Sequence, residues 1–206
     1  MVHRSLRNGA PTGTESARSK TNHAMLKPSQ NPPMLSSWVS NISDLTGRWW
    51  IAHTKARQEK ALARDLHEHG VGYFLPLREK VIVSGGRKRR VLNPLFPSYV
   101  FFCGDPEARR TALATNRLCQ TIDVTDQAEL VTELLALERV LSQGAIVEPL
   151  ATMTLGRRYR ITSGPFSGLE GPVVRVGNAS KIALKISAIA QGALLEIEAG
   201  LLEPID

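Results

Sequence analysis

The rhythm of apolar and polar positions divides this chain into three stretches. Residues 1–46 have no rhythm: sixteen Ser, Thr or Asn and four Pro stand among only seven Leu, Ile or Val. So little apolar surface cannot offset the entropy of ordering a backbone, and a disordered tail is expected. Two other readings stay open, an Arg- and Ser-rich organelle transit peptide and a translation start at Met25 or Met34. Order is expected from Arg48, where Arg48-Trp-Trp-Ile-Ala-His-Thr54 reads as a strand. A helix follows from Lys55 to His69, ended by Gly70. At about 100° per residue, Leu62, Leu66 and His69 share one face of it, and Arg57, Lys60 and Arg64 the opposite one.

Residues 72–76 then form a short strand, and two runs, Glu79–Val83 and Arg87–Leu92, flank Gly85-Gly86, a two-residue hairpin signal. Ser98–Phe102 reads as a buried strand that follows Pro97. Helices are expected over 106–116, opened by Pro106, and over 127–143, capped by Asp126 and Glu129 and ended by Gly144. Leu130, Leu134, Leu137 and Leu141 give the latter an apolar stripe, and a strand over 119–124 separates the two. The order is βαβββαβα, an α+β unit over 47–144: an α/β sandwich of a four-stranded antiparallel sheet with helices.

After a linker at 145–154 the helical period disappears. Residues 155–206 hold seven glycines, and Lys181–Ser187 and Leu195–Glu198 alternate with period 2. Strands near 157–162, 171–177, 181–187, 193–198 and 201–205 describe a small five-stranded β-barrel. Its glycines and prolines, and the alternation of Ile182, Leu184 and Ile186, argue against a helical hairpin there.

Charge narrows the partners. The net charge is +7, distributed as +3 over residues 1–46, +4 over 47–146 and zero over 147–206. A polyanion should therefore meet the first two thirds of the chain. No apolar run approaches the length that spans a bilayer, so no membrane partner is expected. Cys103 and Cys119 form no CxxC pair, and His67 and His69, two apart, cannot chelate one metal. With no GxSxG, HExxH or phosphate-loop pattern, neither an enzyme nor a metal or cofactor is expected.

Two clusters stand out. Asn93-Pro-Leu-Phe-Pro-Ser-Tyr-Val-Phe101 is a rigid, partly apolar ridge, to be read as plain core or as an interface. Arg87-Lys-Arg-Arg90 places four cations on an exposed hairpin, either guarding a sheet edge or binding phosphates.

Together with Trp49-Trp-Ile-Ala-His-Thr-Lys55, Gln58-Glu-Lys60, Leu75-Pro76 and Gly164-Pro-Phe-Ser-Gly-Leu-Glu-Gly171, these residues resemble the NusG family of transcription elongation factors. The resemblance covers 48–206 in order. It implies a NusG N-terminal-like (NGN) domain that binds the RNA polymerase clamp, followed by a KOW barrel that recruits a further factor, a ribosomal protein or Rho. The short segment Gly70–Phe74 resembles the specialised RfaH-type antitermination paralogues. Ile189-Ala-Gln-Gly192 stands where the housekeeping pattern has an aromatic and a basic residue. By this resemblance Trp50, Phe96, Pro97, Tyr99 and Phe101 contact polymerase. Lys55, Arg57, Lys60, Arg87, Lys88, Arg89 and Arg90 face upstream or non-template DNA, and Phe166 and Ile189 meet the KOW partner. The implied protein is a cytoplasmic, nucleoid-associated bacterial monomer. A structural RNA-binding protein of the ribosomal KOW type is the alternative; a barrel of that type should itself be strongly basic.

Overall fold

Two adjacent tryptophans in one strand demand burial on both sides of a sheet, and that requirement organises the N-terminal unit. The computed structural model describes residues 31–150, 156–176 and 179–205. Strands β1 (Arg48–Thr54), β2 (Gly72–Phe74), β5 (Tyr99–Gly104) and β6 (Leu118–Asp123) form an antiparallel sheet in the order β2-β5-β1-β6. Helices α1 (Glu59–Glu68) and α2 (Pro106–Ala114) pack on one face, and α3 (Gln127–Ser142) on the other. Trp50, Ala52, Tyr73, Val100 and Phe102 meet Leu62, Ala63 and Leu66 of α1 and the small Ala108 and Ala112 of α2. Trp49, Ile51, Phe74, Phe101 and Cys103 meet Leu130, Leu134 and Leu137 of α3. With both faces covered, the strands read as nearly continuous apolar runs rather than alternating ones.

The helix starts follow from their caps. Asp105 accepts from Ala108 N–H at 2.9 Å ahead of Pro106, and Asp126 accepts from Glu129 N–H at 2.8 Å. α1 begins four residues later than the sequence pattern suggests, because Arg57 takes φ +61 and closes a turn before Gln58. Arg57 therefore leaves the cationic helix face on which the pattern places it.

Among the described residues, strands β3 (Leu77–Ser84) and β4 (Arg87–Pro94) pair only with each other, as a two-stranded ribbon. Gly85 and Gly86 turn it with φ +56 and +72, the left-handed pair that a two-residue hairpin of matching twist requires.

The expected tail is in part ordered. Met34 C=O accepts from Leu75 N–H at 2.6 Å, Ser36 Oγ accepts from Tyr73 N–H at 2.9 Å, and Tyr73 Oη donates to Pro33 C=O at 3.1 Å. Ile42, 1% exposed, anchors the segment against α3, whose Glu138 accepts from the Ile42 N–H at 3.0 Å. Composition averaged over 46 residues hides this, since the segment is held by the open edge of β2 and a few apolar anchors. The reading of residues 1–30 lies outside the described residues.

The expected linker is also partly strand. β7 (Val147–Leu150) pairs with β11 (Gln191–Ile197), giving a second, six-stranded antiparallel sheet in the order β12-β8-β9-β10-β11-β7. Its other members are β8 (Arg158–Ile161), β9 (Glu170–Val176), β10 (Ala179–Ile186) and β12 (Leu202–Pro204). Ile182, Leu184, Ile186, Ala193 and Leu195 fill its core, and Gly171 passes so close to β10 that a Cβ would lie 2.4 Å from the Ala183 carbonyl oxygen. The fold is thus α+β followed by a small β domain, whose described residues form strands rather than a helical hairpin.

Candidate functional site

The turn from β4 into β5 sits at the foot of the ribbon and is fixed by its backbone bonds. Ser98 takes φ +67, uncommon for a residue with a Cβ. Its N–H donates to Glu59 Oε1 at 2.7 Å and its carbonyl accepts from Thr54 N–H at 2.8 Å. Glu59 is buried in the first turn of α1, so a carboxylate of the helix dictates the shape of this surface turn. Leu95 N–H donates to Pro76 C=O at 2.8 Å and closes the other side. Pro97 is left exposed and Tyr99 half-buried, its ring 5.3 Å from that of His53 across the strand pair.

The other three aromatics of the expected polymerase contact turn inward. Trp50 is 4% exposed and stacks on Phe102, and Phe96 and Phe101, 1% and 0% exposed, meet edge to face at 6.2 Å. For these three the reading as core describes their position. Period alone could not separate them from Pro97 and Tyr99: Tyr99 and Phe101, two apart in β5, share one face of the sheet, and Trp50 lies on the other, under α1 and α2. His53 and Glu59 escaped the sequence reading; the apolar company of His53 in β1 made it look like a strand residue only.

The expected DNA-facing cations divide similarly. Lys55 Nζ donates to the Asn116 carbonyl and Oδ1 at 2.7 and 2.9 Å, on an exposed loop. Lys60 Nζ donates to the Leu92 carbonyl, tying α1 to the ribbon, and its pKa is lowered chiefly by burial, partly offset by Glu59. Lys60 is thus a strut between elements. Arg57 and Arg87–Arg90 are exposed, with Arg90 Nε 3.3 Å from Glu79. Arg117, bonded to Asp65 and to Gln58 Oε1, ties β6 to α1 from the far side.

Phe166 and Ile189 are half-buried against the same core that contains α3. Around them the β domain docks on that helix. Ser187 donates its N–H to Glu133 Oε2 at 2.9 Å and its hydroxyl to Glu133 Oε1 at 2.5 Å. Arg139 donates to the carbonyls of Pro165 and Ser167 at 2.8 and 3.1 Å. Burial raises the Glu133 pKa, against the two Ser187 bonds that lower it. The second apolar stripe of α3, Val131 and Leu135, was the available signal that this helix packs on two sides.

The structure thus defines an α/β sandwich with a protruding cationic ribbon, followed by a small β domain. Residues 47–136 match the family model described as "Transcription termination factor nusG". A search of the curated proteins returned no match. Among solved structures, the chain is similar to one described as "Domain interaction in Thermotoga maritima NusG", with 18% identity and a TM-score of 0.47. It is also similar to "Crystal Structure of MjSpt4:Spt5 complex conformation B", with 16% identity and a TM-score of 0.25. Each alignment covers 77% of this chain and 97% of the other.

Proposed function

We propose that this protein binds the clamp of RNA polymerase and promotes processive elongation, as a specialised antitermination factor. The observation that carries the reading is the fixed turn at Ser98, which presents Pro97, Tyr99 and His53 beside a cationic ribbon within the segment that matches the nusG family model. Apolar side chains on a rigid turn make good interface anchors because little entropy is lost on docking. A clamp held across the DNA cleft disfavours the open, paused enzyme, by as much as the factor's affinity differs between the two states. The ribbon cations lie toward upstream or non-template DNA in this reading. Phe166 and Ile189 meet a further factor, a ribosomal protein or Rho, once the β domain leaves α3. The short connection of α1 to β2 through His69, Gly70 and Val71 supports the RfaH-type specialisation. A ribosomal role fits less well, since Arg158, Arg160, Lys181 and Lys185 of the β domain are each ion-paired.

Retention of the full chain on immobilised core polymerase, against ribosomal subunits, tests the reading. Wild type should be retained by polymerase, and His53→Ala with Tyr99→Ala should lose that retention while staying folded. Equal retention of the folded double variant removes the site from the proposal, and preference for ribosomal subunits removes the function.

A further inference from the structure

The four cations Arg87–Arg90 do not form one patch. In an antiparallel pair, residues directly opposite share a face, and successive residues alternate. The register of the ribbon is Leu77↔Pro94, Arg78↔Asn93, Glu79↔Leu92, Lys80↔Val91, Val81↔Arg90, Ile82↔Arg89, Val83↔Lys88 and Ser84↔Arg87. One face therefore carries Val83 with Lys88, Val81 with Arg90 and Glu79 with Leu92. It has two cations, one acid and two exposed valines, and Glu79 is paired with Arg90. The other face carries Arg87, Arg89, Lys80 and Arg78 in four successive rows, one cation per row and no acid. Rows two residues apart are about 7 Å apart, so this face is a ladder of charge with a step of about twice the axial spacing of phosphates along one strand of a duplex. Arg78, at its foot, has a buried Nε with no hydrogen-bond partner among the described residues.

We infer that this one face, through Lys80, Arg87 and Arg89 with Arg78 at its base, lies along the phosphate backbone of duplex DNA, and that Lys88 and Arg90 do not. The inference rests on the nucleic-acid part of the reading above and narrows it to a face. It adds Arg78 and Lys80, which the consecutive run does not contain, and removes half of that run. A protruding two-stranded ribbon fits the wide major groove of B-form DNA, whereas the corresponding groove of an RNA helix is too narrow. One cation per row, with Ile82 opposite Arg89 and the buried Val91 opposite Lys80 as the apolar members, suits backbone contact rather than base reading.

Two variants of equal charge separate a face from a net charge. Binding of the full chain to a fluorescently labelled mixed-sequence DNA duplex is followed by anisotropy over a range of salt. Arg87→Gln with Arg89→Gln should lower the slope of log affinity against log salt by about two, one per lost phosphate contact. Lys88→Gln with Arg90→Gln should leave it nearly unchanged, and Arg87→Lys with Arg89→Lys should keep the wild-type slope. Equal losses from the two Gln pairs, or a larger loss from the second, overturn the face assignment while leaving the DNA reading standing. An unlabelled RNA hairpin that displaces the duplex better than unlabelled DNA overturns the choice of DNA. No binding by wild type at low salt overturns the nucleic-acid reading itself.

Discussion

Phe96→Ala and Tyr99→Ala, three residues apart, should have opposite consequences. Phe96 is 1% exposed, and its ring sits edge-on to Phe101 at 6.2 Å within the core between sheet and α3. Truncating such a ring costs about 3–5 kcal/mol, the lost transfer energy plus the cavity left behind. A chain of this size loses about 2–4 °C of Tm per kcal/mol, so the fall should be about 6–20 °C. Tyr99 is half-buried against His53, and its backbone bonds survive truncation, so its loss should cost about 1 kcal/mol. It should nevertheless weaken polymerase binding, whereas Phe96→Ala should weaken it only in proportion to the unfolded fraction. Urea unfolding followed by the fluorescence of the buried Trp49 and Trp50 measures the first quantity; retention on polymerase below the transition measures the second. A loss under about 1 kcal/mol for Phe96→Ala, together with abolished binding, would refute the assignment of Phe96 to the core and make it an anchor.

The remaining predictions concern the ordered N-terminal segment, the docked β domain and its acid. Ser36→Ala leaves the buried Tyr73 N–H without the hydroxyl that accepts it, and should cost about 1–3 kcal/mol by urea unfolding. Arg139→Ala removes two bonds to the Pro165 and Ser167 carbonyls, and should speed exchange of the Ser187 amide, read by NMR, with the sheet amides of both units unchanged. The Glu133 carboxyl is raised above its unfolded value, so the folded state binds its proton first as pH falls. Its contribution to stability is therefore present below the ordinary carboxylate range and is lost as pH rises through the raised folded value. Glu133→Gln should flatten that part of a stability-against-pH curve, and an unchanged slope would contradict the burial of this group.

Much of the fold was legible because strong local signals coincide with it. Gly85-Gly86, Pro106 after Asp105, and Asp126 with Glu129 each have a backbone reason to stand where they do, and the elements begin or turn there. What escaped was non-local. The segment from residue 31 to 46 has no period of its own and is ordered by the open edge of β2. β7 reads as linker because four residues carry too short a pattern, and its partner β11 lies more than forty positions on. The site divides along the same line. The apolar cluster at residues 93–101 was visible in its composition, but how deeply each of its aromatics is buried depends on the packing of the whole sandwich, and the shape of their turn depends on Glu59, nearly forty residues earlier. The four ribbon cations were visible as a run, and only the register divides them into faces.

Photo-crosslinking from the fixed turn tests the central claim most directly. A photoreactive phenylalanine analogue replaces Tyr99 in one preparation of the full chain and Leu113, exposed on α2, in another. Each is irradiated with core RNA polymerase. The account predicts a covalent adduct with a polymerase subunit from position 99 and none from position 113. Adducts from position 113 alone would contradict it, because the polymerase would then meet the opposite side of the sandwich.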